Sequence, residues 1–513
     1  MSKQAAEGSV TTEIRRAAGG SVTTEIRRVG ARLPVAPGLV LLLVCLGQFM
    51  VLLDISVVNV ALPSIRRDLG FSTSGLQWVV NAYTLAFSGF LLFGGRAADI
   101  FGRRRLLLLG LALFCVASLA DGLATTQAEL IAARALQGLG GAVLTPATLT
   151  ILIVTYPEGR SRARALGVWS AVAAAGGASG ALLGGVITQM LDWRWIFFVN
   201  VPIGVAVLIG AALVVGETFG DRSSRRHLDL GGAVSVTGAL VAITWGIARS
   251  QDVGWGAAEV LVAFGAGVVL LAVFLVLETR AAAPMVPLRL FASRSISGAN
   301  LVALGVGASI FSVWYFQTLY LQGVRGLSPL EAGLTFLPQT LAIIAGSQVS
   351  SRLIPRIGTR PFLVGGPMVI ALGLLWLAQM RVGAAIPTSI LLPGVLLTLG
   401  AGLVFPAMTV AATTGVARAD SGLASGVVNT SRQIGGSLGL AALVTVAADH
   451  TVALASTGHS ASAALTGGYG LAIAAGAGIA VAAGLFGLVV PGRGRRSEPA
   501  RQAATREPEE AAA

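Results

Sequence analysis

Fourteen apolar stretches run through this sequence, each near the ~20 residues a helix needs to cross a bilayer. They lie at roughly 39–62, 76–95, 106–123, 129–154, 164–188, 195–215, 230–248, 257–277, 296–321, 331–354, 362–380, 388–412, 421–446 and 467–490, between charged or Pro/Gly breaks. Backbone that is not hydrogen-bonded to itself cannot face lipid, so repeated runs of this length predict helices. A β-barrel would show shorter, alternating segments. Composition agrees. Apolar residues make up 55% of the chain and charged residues 12%, with a mean hydropathy of +0.81. A soluble domain carries about 25% charged residues. A single soluble globule, a disordered chain and a fibrous protein are therefore excluded. The 67 glycines show no every-third-residue period, which excludes collagen. The fold class is an all-α membrane protein with 14 transmembrane helices.

The net charge of +13 would suggest nucleic-acid binding in a soluble protein. In a membrane protein, basic residues instead collect in cytoplasmic loops. With loops assigned alternately, the side holding both termini carries 28 Lys and Arg and the other side 6, with Arg134 and Arg432 inside spans. This predicts a multi-pass protein of the cell membrane with both termini cytoplasmic, a lipid bilayer for its surroundings and no nucleic-acid partner. The even span count fits the split, because one extra helix would reverse every later loop. The first 36 residues are polar and show no cleavable signal peptide, so span 1 would serve as an uncleaved anchor. Within them GSVTTEIRR occurs twice, at 8–16 and 20–28. That reads as a disordered cytoplasmic leader (1–36), or as a basic strip touching anionic lipid. Residues 491–513 read as a disordered tail. Cys45 and Cys115 lie in apolar runs, and the three histidines lack metal-ligand spacing, so no metal site or cofactor is expected.

Charge inside the spans is rare and costs at least ~2.5–3.5 kcal/mol per residue on insertion scales. Asp54 in span 1 and Arg134 in span 4 are candidates for proton coupling. Asp54 could also solvate itself near an interface, and Arg134 could snorkel. In span 2, Gln77, Asn81, Thr84 and Ser88 share a helical face. In span 4, Arg134, Gly138, Gly141, Thr145 and Thr148 share another. These faces either bond neighbouring helices or line a water-filled cavity. Trp314 and Gln317 in span 9 are further cavity candidates. In span 5, Gly176, Gly180 and Gly184 recur every four residues, with Gly177 and Gly185 beside them. Such a face allows close helix packing, or forms a sealed sliding surface between two bundles. The loops IFGRR (100–104) and RIGTR (356–360) resemble each other, as though a six-helix unit recurs with two helices inserted.

These motifs, in this order, resemble the major facilitator superfamily, most closely its fourteen-span drug:proton antiporters. GRAADIFGRRR is similar to motif A through Gly95, Asp99, Gly102, Arg103 and Arg104, with Ala97 and Ile100 departing from it. LIAARALQGLGGA is similar to motif B through Arg134, Gln137 and Gly138. LDISVVNVALP resembles the span-1 motif through Asp54, Asn59, Ala61, Leu62 and Pro63. Span 5 resembles antiporter motif C through Gly176, Gly180, Gly184 and Gly185, with Ala181 in place of its proline. WRWIFFVNVPIG (193–204) and YLQGVRGLSPLEAGL (320–334) also resemble this family.

The resemblance implies a major facilitator fold: a six-helix bundle at 37–215, two inserted helices with their loops at 216–295, and a second six-helix bundle at 296–490. It implies a monomeric secondary transporter, not an enzyme, that exports amphipathic small molecules in exchange for protons. Asp54 would load a proton and Arg134 would help discharge it. The substrate cavity would draw on Gln77, Asn81, Thr84, Gln137, Trp314 and Gln317. Asp99 would hold the gate shut at the start of span 13, near Ser421. The nearest rival is an importer or facilitator on the same fold. A channel would need a selectivity filter, and a membrane-embedded enzyme a catalytic cluster; neither is visible.

Overall fold

A computed structural model describes residues 37–157, 159–219, 229–281, 284, 286–416 and 421–492. Fourteen long helices carry the described chain. They are α1 (Pro37–Leu69), α2 (Trp78–Phe101), α3 (Arg103–Leu123), α4 (Gln127–Thr155), α5 (Arg160–Met190), α6 (Asn200–Val214), α7 (Leu230–Val253), α8 (Ala258–Arg280), α9 (Arg294–Thr318), α10 (Pro329–Ile357), α11 (Arg360–Leu377), α12 (Leu392–Thr413), α13 (Ser421–Ser456) and α14 (Ala461–Phe486). Each coincides with one of the apolar stretches. A short turn at Trp195–Phe198 leads into α6, and π-helical turns extend α9 to Val324 and open α12 at Pro387.

Local chemistry sets the helix ends. Thr126 and Glu129 form a reciprocal capping box at the start of α4, and Ser328 with Glu331 does the same for α10, where Pro329 takes the first helical position. Gly102 separates α2 from α3 at φ 108°, a backbone setting that disfavours residues with a Cβ.

Thirteen of the helices are long and apolar enough to cross a membrane. The exception, α10, carries Gln339, Gln348, Ser347, Ser350 and Ser351. It lies against α5 and α12, and Gln339 and Ser350 are buried there. Gln348 and Ser351 are exposed, so only part of its polar face is covered by protein.

Helices α1–α6 pack around one apolar cluster that includes Met50, Phe87, Leu111, Phe114, Leu144 and Val207. A second cluster joins α9–α14, with Phe316, Tyr320, Leu374, Leu397 and Tyr469, and extends to the last turns of α1. The two groups meet where α5 lies on α10 and where α2 lies on α13. The inserted α7 rests on both α2 and α13: Thr237 packs against Gly89, and Gln251 Nε2 donates to Thr445 Oγ1 at 2.9 Å. Helix α8 packs mainly against α7 and exposes Leu261, Val262, Val268 and Val269, as a helix facing lipid does.

Call the end carrying Pro37 and Tyr156 the near end; Tyr156 OH donates to Pro37 O there at 2.9 Å. At the opposite, far end the two groups are joined. Gln322 Nε2 donates to Val60 O at 2.8 Å, and Leu330 N donates to Gln189 Oε1 at 3.2 Å.

Candidate functional site: a buried ion pair in the first six helices

Asp54 is fully buried in α1 and Arg134 is 1% exposed in α4. They are bonded to each other: Arg134 Nη1 donates to Asp54 Oδ2 at 2.7 Å. Neither snorkels to an interface. Arg134 Nη1 also donates to Gln137 Oε1, and Nε donates to Val79 O of α2 at 3.0 Å. Its guanidinium carbon stands 4.5 Å from the centre of the Tyr83 ring and 5.6 Å from that of Phe197. Those aromatic faces stabilise a desolvated cation. On the acid side, Asp54 Oδ1 accepts from Gln137 Nε2 at 2.9 Å and from Asn200 Nδ2 at 3.0 Å. The same two amides donate to Ser118 Oγ of α3, at 3.2 and 3.1 Å, and Ser118 donates to Phe197 O at 2.9 Å. Five of the first six helices, α1, α2, α3, α4 and α6, therefore converge on one polar knot.

Helical spacing explains the convergence. Arg134 and Gln137, three residues apart, project from one face of α4. One turn further on, Gly138 lets α2 approach; a Cβ there would meet Tyr83 O at 2.3 Å. Gly141 likewise faces Tyr83 and Phe87. This part of the small-residue face in α4 is thus a packing surface rather than a cavity wall.

Ser118, Asn200 and Tyr83 belong to this site and sequence reasoning missed them. Asn200 had a signal, a lone amide inside the apolar run FFVNVPIG. Asp121 was missed as well. It lies one turn beyond Ser118, is fully buried, and both carboxylate oxygens lack a hydrogen-bond partner among the described residues. Its place near the end of span 3 made it look like a loop residue.

Of the proposed cavity residues, Gln77, Asn81, Thr84, Gln137 and Gln317 are buried. Gln137 belongs to the ion-pair knot. Thr84 bonds its own helix, donating to Val80 O at 3.0 Å. The amide atoms of Asn81, Gln317 and Gln339 have no protein partner among the described residues. Unpaired interior amides are costly, and they mark where water or a ligand would bond. Trp314 is half-buried beside the second cluster.

The glycine face of α5 faces differently from a surface between bundles. A Cβ at Gly176 would meet Phe49 O at 2.7 Å, at Gly180 Ser56 Cβ at 2.5 Å, and at Gly184 Val57 O at 2.9 Å, all on α1. Ser56 Oγ donates to Gly177 O at 2.7 Å across the same contact. Only Gly185 of this set meets the second group, with Pro329 O 2.6 Å from a built Cβ. The four-residue repeat puts its glycines on one side of α5, and α1 takes that side.

At the near end, Asp99 pairs with Arg103 one turn on, at 2.8 Å. Arg104 N donates to Glu217 Oε1 at 3.1 Å, its Nη2 donates to Ala212 O at 2.5 Å, and Arg103 N donates to Thr218 O at 2.9 Å. Gly95 lies against Pro146 and Gly102 beside Glu217. The α2–α3 turn is thus tied to the end of α6 through Glu217, which the sequence reading did not single out. The expected meeting of Asp99 with the start of α13 near Ser421 turns on the residues leading into that helix, 417–420, which lie outside the described residues, as do the 1–36 leader and the tail from 493. Arg432, half-buried, donates to Asn429 Oδ1 at 2.8 Å, with its guanidinium 5.1 Å from the centre of the Phe405 ring.

Many apolar helices around a sealed and fully bonded charge pair define a multi-pass membrane protein of the transporter class. The chain belongs to the Major Facilitator Superfamily, whose profile matches residues 44–440. It is 47% identical to the cephamycin export protein CmcT of Amycolatopsis lactamdurans, over 80% of this chain and 85% of that protein. It is 41% identical to the puromycin resistance protein pur8 of Streptomyces alboniger, over 84% of this chain and 85% of that one. Among solved structures, an inward-facing bacterial homologue of the human lysosomal transporter Spinster superposes with a TM-score of 0.64 at 17% identity, covering 90% of this chain and 98% of that one. The peptide transporter POT superposes equally well, at 0.64 and 16% identity, covering 88% and 94%. Those two likenesses speak for the fold.

Proposed function

We propose that this protein exports amphipathic small molecules, antibiotics among them, against an inward flow of protons. The observation that carries this reading is the Asp54–Arg134 pair, buried within apolar helices and held by Gln137 and Asn200. A buried ion pair adds little net stability, so a functional use accounts better for its presence. The export names of CmcT and of related resistance proteins support the direction.

In this reading the near end is cytoplasmic and the far end faces outward, as the Lys and Arg split predicts. Asp54 takes a proton when the outer side opens. Protonation removes the carboxylate that holds Arg134, and the knot loosens. Substrate bound among Asn81, Thr84, Gln77, Trp314 and Gln317 is released outward. The six-helix groups at 37–215 and 296–490 then rock about the α5–α10 and α2–α13 contacts, and the proton leaves inward with help from Arg134. The motif A residues Gly95, Asp99, Gly102, Arg103 and Arg104 set the near-end gate. The glycines 176, 180, 184 and 185 keep the outer part of α5 tight. One chain suffices for the cycle.

The test is expression in a host stripped of its own pumps, with growth measured on puromycin and on a cephamycin. Raised tolerance that an uncoupler abolishes is the expected result. Tolerance unaffected by the uncoupler would remove the proton from the scheme.

A further inference from the structure

We propose that Asp121 is a second proton-binding carboxylate, through which protons from outside reach the Asp54–Arg134 pair. This rests on the antiport reading above and adds a residue to it. Asp121 shares a face of α3 with Ser118, three residues earlier, and Ser118 is bonded into the knot. It lies within electrostatic reach of Arg134 on α4 and Asp54 on α1, and the Tyr83 ring of α2 lies against the Arg134 guanidinium. Only Asp54 is bonded to the guanidinium, and Asp121 stands in the field of both charges. Asp54 takes all the donors, from Arg134, Gln137 and Asn200, while neither oxygen of Asp121 has one among the described residues. An ionised carboxylate needs donors when sealed from water. The division of partners therefore fits one ionised acid, Asp54, and one acid holding a proton, Asp121, with the cluster neutral.

Position favours entry from the far end. Asp121 is two residues from the far end of α3, and its neighbour Gly122 is covered by the Phe198 ring. The 193–198 turn that carries Phe198 also borders, through Trp193, an open cleft of about 380 Å³ lined by Arg67, Asp68 and Asp192, among others. Trp193 donates to Asp68 at 3.0 Å, and its ring meets Phe197 edge-on. In this proposal the 193–198 turn stands between Asp121 and the cleft, and its tilting would admit water. The step balances simply. The O–H bond of Asp121 breaks and its electron pair stays on Asp121. The proton forms an O–H bond on Asp54, and Arg134 moves its charge from Asp54 to Asp121. A proton from outer water then reloads Asp121.

The experiment uses the full chain in proteoliposomes with Asp121→Asn, Asp121→Glu and Asp54→Asn. Infrared spectra read the protonated-carboxyl band, and puromycin uptake driven by a pH gradient reads coupling. The proposal expects a band that is present in the wild type, lost in Asp121→Asn and displaced in Asp121→Glu; in Asp54→Asn, which leaves Asp121 as the anion opposite Arg134, the band should also be lost. Gradient-driven uptake should fall to the no-gradient rate in Asp121→Asn and return in Asp121→Glu. A band unchanged in Asp121→Asn, or full gradient-driven uptake by that variant, overturns it. If Asp121→Asn does not insert, the Asp121→Glu band alone decides. If the wild type shows no gradient-driven uptake, the antiport reading falls, and the band still decides whether Asp121 carries a proton.

Discussion

Arg134 ties three helices directly and a fourth through Asp54. It bonds Asp54 on α1, Val79 O on α2 and Gln137 on its own α4, and Asn200 of α6 completes the shell of the acid it holds. Such a knot resists single cuts more than paired ones. Removing one member of a buried pair strands a charge and costs about 3–5 kcal/mol, whereas removing both costs far less than the sum. Arg134→Ala should therefore lower thermal stability in detergent steeply, and Arg134→Ala with Asp54→Ala should recover part of the loss while remaining uncoupled. Strict additivity of the two losses would show that the residues do not act on each other. At this scale the sequence disclosed the two charges but not their partnership. Asp54 and Arg134 stand 80 residues apart, and no local pattern says which helices touch. Asp121 was hidden for a different reason: a carboxylate two residues from a helix end reads as solvent-exposed, and only its complete burial in the folded chain reveals it as enclosed.

At the scale of the helix, hydropathy was almost sufficient. A run of apolar residues must become a helix in lipid, so all fourteen could be placed from sequence alone. Several true ends extend past the apolar core, by ten residues at the end of α13, and where caps such as Thr126 and Ser328 occur they set the boundary, not hydropathy. Which face meets which neighbour was less legible. The glycines of α5 announced a close contact, yet the partner is chiefly α1. A sharp contrast follows. Gly180→Val would drive a side chain into Ser56 and Leu53 O, whereas Gly177→Ala meets nothing within 4 Å. We expect Gly180→Val to cost about 1–3 kcal/mol or more by overpacking, seen as a lowered unfolding temperature in detergent, with Gly177→Ala near wild type. Equal losses would mean that the α1–α5 contact does not control stability.

For the whole molecule, two helical groups meet along two seams, with α7 resting across one of them. The seams are narrow where they matter. Gly185 lies against Pro329, Gly333 against Ala181 O, and Gly426 against Leu92, so small residues let backbones slide closely without side-chain interlocking. The bonded ion pair lies wholly in the first group, while unpaired amides occur in both, at Asn81 and at Gln317 and Gln339. This division suits the proposed exchange, in which one cluster would handle the proton while the cargo would meet surfaces that part and rejoin. The account stands or falls on Asp54 as the group whose protonation drives cargo release. The most direct measurement is puromycin uptake into energised inverted vesicles carrying Asp54→Asn, with insertion verified by thermal unfolding. The account predicts that uptake driven by the pH gradient disappears while exchange of puromycin down its own gradient persists. Full gradient-driven uptake by that variant would contradict it.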